Sequence, residues 1–237
     1  MFRRVRTFGV VLAAVAAVAT TCAYAAAVRP ATHRFVKREH FRYINVLKLG
    51  IGEGVVVVDG PQTMTSTEDI DVMDVAATAA TLADHVRYDK ATAFAPRTRM
   101  IRASADGTWR DANGQVVDNV ATWDPARFGP RPPTLTPGQH WQVEVPRIDL
   151  DEPGRAVVRV VSVDRAHLVL RIEGSLVPNT RGPDRITKTW STDVAFAHGI
   201  VRELHRIDLT HYDRGPLLPA AAEGTDRRVR LVAHTSP

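Results

Sequence analysis

The stretch from Thr134 to Pro178 limits what this chain can fold into more than any other, because it holds three short apolar runs of strand period. In the first, Trp141, Val143 and Val145 alternate with His140, Gln142 and Glu144, which places apolar and polar side chains on opposite faces of a half-buried strand. Pro146 donates no ladder hydrogen bond, so a bulge or strand break is expected at Pro146-Arg147, and Glu152-Pro153-Gly154-Arg155 suits a type II turn. The run Val157 to Val163 carries valines on both faces and predicts a central strand covered on both sides. In the third run Leu168, Leu170 and Ile172 share a face. A tight Arg165-Ala166 loop would set Val163 opposite Leu168 and Val161 opposite Leu170.

Elsewhere the signals are mixed. Gly50, Gly52 and Gly54 do not match the Gly-x-Gly-x-x-Gly phosphate fingerprint and precede no helix, so they are read as kinks in a curved strand. Val72, Val75, Ala76, Ala79, Leu82, Ala83 and Val86 follow helical spacing, which predicts one amphipathic helix over Asp69 to Arg87. Asp106-Gly107 and Asn113-Gly114 predict turns. Five of the fifteen prolines fall between Pro125 and Pro137, a density that predicts an extended surface crossing between two parts of one sheet. Further on, Asn179 to Pro183 is a turn signal. Ile186, Trp190, Val194 and Phe196 share one face, Ala197-His198-Gly199 turns the chain, Ile200 to Leu209 reads as a strand, and Arg228 to Ala233 as a last edge strand.

At the N-terminus Arg3, Arg4 and Arg6 precede an uncharged run from Thr7 to Val28, and Ala23-Tyr-Ala25 offers a signal-peptidase site. The expectation is an export signal or N-terminal anchor over residues 1–27, a basic tether over 28–40 and one β-rich domain over 41–234. This places the protein in the periplasm or on the outer face of the cytoplasmic membrane. The single cysteine, Cys22, excludes an internal disulfide framework. Removing the three signal arginines lowers the formal charge from +5 to +2, which argues against nucleic acid as a partner.

No motif for catalysis, a metal or a cofactor stands out. Glu203, His205, Asp208, His211 and Asp213 are the densest group of potential ligands, but they complete no zinc spacing and read as a polar strand face. No serine lies in Gly-x-Ser-x-Gly. Trp141 and Trp190 read as core anchors, while Trp109 and Trp123 lie near turns, where packing alone explains an aromatic less readily.

Thr136-Pro-Gly-x-x-Trp141 with Phe196-x-x-Gly199-x-Val201-x-x-Leu204 resembles exported bacterial proteins built on a long curved antiparallel sheet, and more distantly the half-barrel of lipoprotein carriers. The expectation is a mainly β (α+β) fold, a curved antiparallel sheet or half-barrel with one covering helix. The function expected with it is non-catalytic binding or carriage of a lipid or other apolar molecule, with a protein-interaction module or a hydrolase as alternatives. Ala79 and Leu82 on the helix would face Trp141, Leu168, Leu170, Trp190 and Phe196 across an apolar pocket.

Overall fold

The computed structural model describes residues 26–53, 62–89, 95–117, 119–145, 154–176, 185–213 and 221–237. They form one open, curved antiparallel sheet of eleven strands with almost no helix. The first meander comprises β1 (His40–Glu53), β2 (Gln62–Val75), β3 (Ala79–Tyr88), β4 (Arg97–Ser104) and β5 (Trp109–Asp111). The second comprises β6 (His140–Val145), β7 (Gly154–Val163), β8 (His167–Leu176), β9 (Arg185–Ala197), β10 (Ile200–Asp213) and β11 (Ala221–Thr235). The strand order is β5-β4-β3-β2-β1-β11-β10-β9-β8-β7-β6. β1 therefore pairs with β11 at the centre, and β5 and β6, the two edges, are consecutive in sequence.

The expected helix over Asp69 to Arg87 is instead the β2–β3 hairpin, with Ile70 opposite Asp84 and Val72 opposite Leu82. Side chains at even positions from Ser66 to Val72 and from Ala80 to Val86 are buried, the period of strands. A register shift after Val72 and a turn through Ala76-Ala77-Thr78, which lacks glycine, proline, asparagine and aspartate, hid the hairpin behind a helical spacing.

The proline-rich crossing is at the surface on one side only, with Pro130, Pro133 and Pro137 exposed and Phe128 and Leu135 turned into the core. It joins one edge of the sheet to the other across the inner face, with a single helical turn, α1 (Pro125–Phe128), capped by the Asp124 carboxylate accepting from Ala126 N. Phe128 and Leu135 are fully buried, and Trp109 and Trp123 are buried as well. Trp123 stacks 6.3 Å from Trp141 and 6.2 Å from Phe196, so one indole touches β6 and β9 together. The indoles of Trp123 and Trp141 donate to the carbonyls of Gly129 and Phe128. Proline density here sets an extended path whose few large side chains fill the curve of the sheet.

β7 is covered on one face only, contrary to the doubly apolar reading. A register shift sets Val160, not Val161, opposite Leu170, and Val161 is exposed. The bulge moves one valine to solvent and keeps the others in phase. The Val163–Leu168 pair and the Asp164–His167 turn form as expected. β11 is central rather than an edge, because it is the partner of both β1 and β10. Residues 28–39 are no solvated tether: Val28 bridges Leu135, and buried Glu39 accepts from His33, His234 and the Val36 N–H. Gly52, at φ 155°, lies where a Cβ would stand 1.9 Å from Ala222 O, which supports the kinked-strand reading of the glycines. Residues 1–25 with the export signal and Cys22, the Pro146 bulge, the Pro153 and Asn179 turns, Gly54 and Asp118 lie outside the described residues.

Candidate functional site: a charged belt on the inner face

Directly opposed residues of an antiparallel pair share a face, so the ladders define rows across the inner surface. One row runs Val160, Leu170, Val194, Leu204, Val229, Asn45 and Ser66. The next runs Trp141, Val158, Ile172, Thr192, Arg206, Arg227, Leu47 and Met64. On the other side of the first row lie Glu68, paired with Tyr43, and then the opposed Ile70 and Asp84. The apolar end of each row lies in the core, and the polar residues form a belt stepping diagonally from β9 to β4.

The belt is hydrogen-bonded. Arg99 Nε donates to Asp84 Oδ2 at 2.6 Å, Asn45 Nδ2 to Glu68 Oε2 at 3.2 Å, and Arg227 Nη2 to Asn45 Oδ1 at 3.3 Å. Arg206 stands directly opposite Arg227 and is held by Asp208 at 2.6 Å. Asp84 is fully buried and Glu68 nearly so, at 0% and 5% exposure. Burial first, and then the Asp84 charge, push the Glu68 carboxyl up to about 7, against the opposing pull of Arg227 and the Asn45 amide. The Tyr43 hydroxyl is raised well above its ordinary value by burial and by Glu68. Asp84 Oδ1 is buried and has no hydrogen-bond partner among the described residues. An orphaned acceptor beside a carboxyl that titrates near neutrality makes a site that can take up a proton or a donor group.

Beyond the belt the inner face turns apolar again. Leu47, Leu49, Met64 and Trp190 are only half-buried there, with Asp208 between Trp190 and Thr225 in the same row as Leu49. The indole of Trp190 lies flat over Gly174, where a Cβ would meet it at 2.2 Å. The absence of a side chain at Gly174 is what lets this tryptophan lie along the sheet.

Leu82, Leu168, Leu170 and Phe196 share this inner face and are buried in the core. Trp141 and Trp190 pack half-buried against that core. Ala79 sits on the other face beside the β2–β3 turn, since its neighbour Ala80 points inward opposite Ala103. The metal-like group is divided. His205 bonds Asp226 and His211 bonds Thr189, whereas Asp208 faces inward and clamps Arg206. Glu68 and Asp84 were invisible in sequence because the helical reading gave β2 and β3 the wrong period, and Asn45 and Arg227 because β1 and β11 were not seen to be partners. The signal that finds Glu68 is Ser66-x-Glu68-x-Ile70-x-Val72, an alternation carrying a carboxylate on its apolar side.

The class defined so far is an open, curved antiparallel sheet with a buried charged belt. No protein-family model matches the sequence, and no curated protein matches it. Among solved structures the chain is similar to lipovitellin, described for its lipid–protein interactions, at 11% identity and a TM-score of 0.47. The similarity covers 86% of this chain and 26% of the lipovitellin chain, so this chain spans about a quarter of that length.

Proposed function

We propose that this is an exported cell-envelope protein that binds an amphipathic molecule on the inner face of its sheet. The observation that carries the reading is the half-exposed apolar strip of Leu47, Leu49 and Met64 directly beside the charged belt, with Trp190 across Asp208 and Thr225 from it. An acyl chain on the strip removes apolar surface from water at about 25 cal/mol per Å². Its polar end then meets Arg206, Arg227 and the Glu68 carboxyl, so each half of the ligand finds its own chemistry. The crossing occupies the space beneath Leu168, Leu170 and Phe196, and for this reason the ligand lies beyond it rather than in the core. Export rests on Arg3, Arg4 and Arg6, the uncharged run after them and Ala23-Tyr-Ala25.

Protein purified from a bacterial envelope is expected to release lipid on solvent extraction, and native mass spectrometry should show the matching adduct. Met64→Glu is expected to abolish the adduct while leaving the fold intact. Protein that releases no apolar molecule, or a Met64→Glu protein that carries the same load, removes the proposal.

A further inference from the structure

One rim of the sheet gathers the start of β1, the end of β2, the turns β2–β3, β4–β5, β7–β8 and β9–β10, and the end of β11. Residues 28–39 run along it. Val28 bridges Leu135, and Ala31 N donates to Arg165 O at 3.1 Å. The chain passes so close over Gly199 that a Cβ there would stand 2.3 Å from His33 N. Farther on, the turn from Val36 to Glu39 closes with Glu39 N donating to Val36 O, and Arg38 N donates to Val72 O near the end of β2. His33 and Phe35 pack edge-on against Phe41, whereas Arg29, Thr32, Arg34 and Val36 are exposed.

This rim carries positive charge and apolar surface together. Arg29, Arg34, Arg38 and Arg165 are exposed and have no carboxylate within ion-pair distance among the described residues. The nearby acids are engaged elsewhere: Glu39 is buried against His33 and His234, Asp74 pairs with Lys37, and Asp164 accepts from two N–H groups of its own turn. Asp106 also comes near, across a cleft from Thr32, and accepts from the Thr108 N–H. Beside Lys37 and Arg38, Val36, Met73 and Val75 stand 45%, 52% and 41% exposed where the Val36 turn meets the end of β2.

We infer that this rim is the face the protein lays on a membrane, with its arginines on the phosphates of anionic phospholipids and Val36, Met73 and Val75 among the headgroups. Exposed cations are drawn to an anionic bilayer surface, and apolar side chains beside them gain by leaving water. Charge complementarity is one argument for a bilayer, and the path of the chain is the other. The uncharged run Thr7 to Val28, read as an export signal or anchor, ends at the residue fastened to the rim by two backbone hydrogen bonds with Leu135. A bilayer holding that run meets this rim first. The inference rests on the export half of the proposed function and not on its ligand. The strip assigned to the ligand lies toward the opposite ends of β1 and β2, so the two surfaces do not compete.

The test is NMR of the full chain, labelled at its methionine methyls, in nanodiscs of phosphatidylcholine with or without phosphatidylglycerol, a gadolinium-chelating lipid marking the surface. Met64 and Met73 lie toward opposite ends of β2, about 30 Å apart at the rise of a strand. With phosphatidylglycerol the Met73 signal is expected to broaden while Met64 stays sharp, and in phosphatidylcholine alone both stay sharp. Arg34→Gln with Arg38→Asn should lower the ratio of docked to undocked rim about fivefold for each arginine removed. Asparagine tolerates the left-handed backbone at Arg38, where φ is 70°. Whether solvent extraction releases lipid has no bearing on Met73, so the ligand and the docking face are decided separately. If the double variant misfolds, the comparison of the two lipids with the unaltered chain decides. Broadening of Met64 rather than Met73, a Met73 signal equally affected by the two lipids, or unchanged docking of the folded double variant overturns the assignment.

Discussion

Glu39 and Glu68 are both buried glutamates on the same half of the sheet, yet their surroundings push them in opposite directions. Burial alone would raise Glu39, but the hydrogen bonds from His33, His234 and the Val36 N–H outweigh it and hold the carboxyl below the ordinary range. Its contribution to stability is present above the unfolded value and is lost as pH falls through the lowered one. Glu68 has the reverse sign. Between its unfolded value of 4.5 and about 7 the folded chain holds a proton that the unfolded chain has released, so stability falls as pH rises through that window. Glu68→Gln is expected to flatten that decline and to gain about 1–3 kcal/mol in urea unfolding at about pH 8. Glu39→Gln should be less stable than the parent near neutrality and lose the acid-side dependence. If the Glu68→Gln and parent curves fall together from about pH 5 to 8, the belt does not hold the proton assigned to it.

At the scale of elements, the crossing does what a covering helix would otherwise do. Phe128 sits on a single helical turn, edge-on to Phe196 at 5.7 Å and tilted against Trp123 at 4.8 Å. Phe128→Ala is expected to cost about 3–5 kcal/mol by calorimetry or denaturant, the range for an aromatic removed from a closed core. A cost below about 1 kcal/mol would mean that the crossing merely rests on the sheet. The meander of β6, β7 and β8 was legible because strand period and the Asp164 turn agreed. β2 and β3 were not, because Ala76, Ala79 and Ala83 fit either period and the connecting turn carries no special residue. The crossing was half legible: proline density marks a chain that joins no ladder, but nothing local tells which side of a sheet it takes. Leu168, Leu170 and Ile172 were grouped on one face of β8, as they are, but Leu82 lies on that same inner face of the sheet and not on a helix opposite it. The belt was missed with β2 and β3, since a carboxylate can be placed only once the period of its strand is known.

For the whole molecule, the arrangement of the edges matters for solubility. β5 has three residues and β6 six, so the open ends of an eleven-stranded sheet offer little ladder to a second copy. The long strands lie in the middle, where β1 and β11 pair from His40–Thr235 to Glu53–Ala222. Every other ladder joins strands that are neighbours in sequence. This one joins the first strand to the last, and its consequence is a matter of timing. While the chain is being made, β1 must wait with one side bare until β11 arrives, and only then can the two meanders become one body. Pulse-labelling hydrogen exchange during refolding is expected to protect the amides of β1 that face β11 last, after those of both meanders. Early protection there would mean that the halves assemble around the seam rather than close upon it. If it does close last, a chain truncated anywhere within β11 leaves two preformed halves with adhesive flanks. The fifteen residues of β11 then act as the fastener that ends the period of risk.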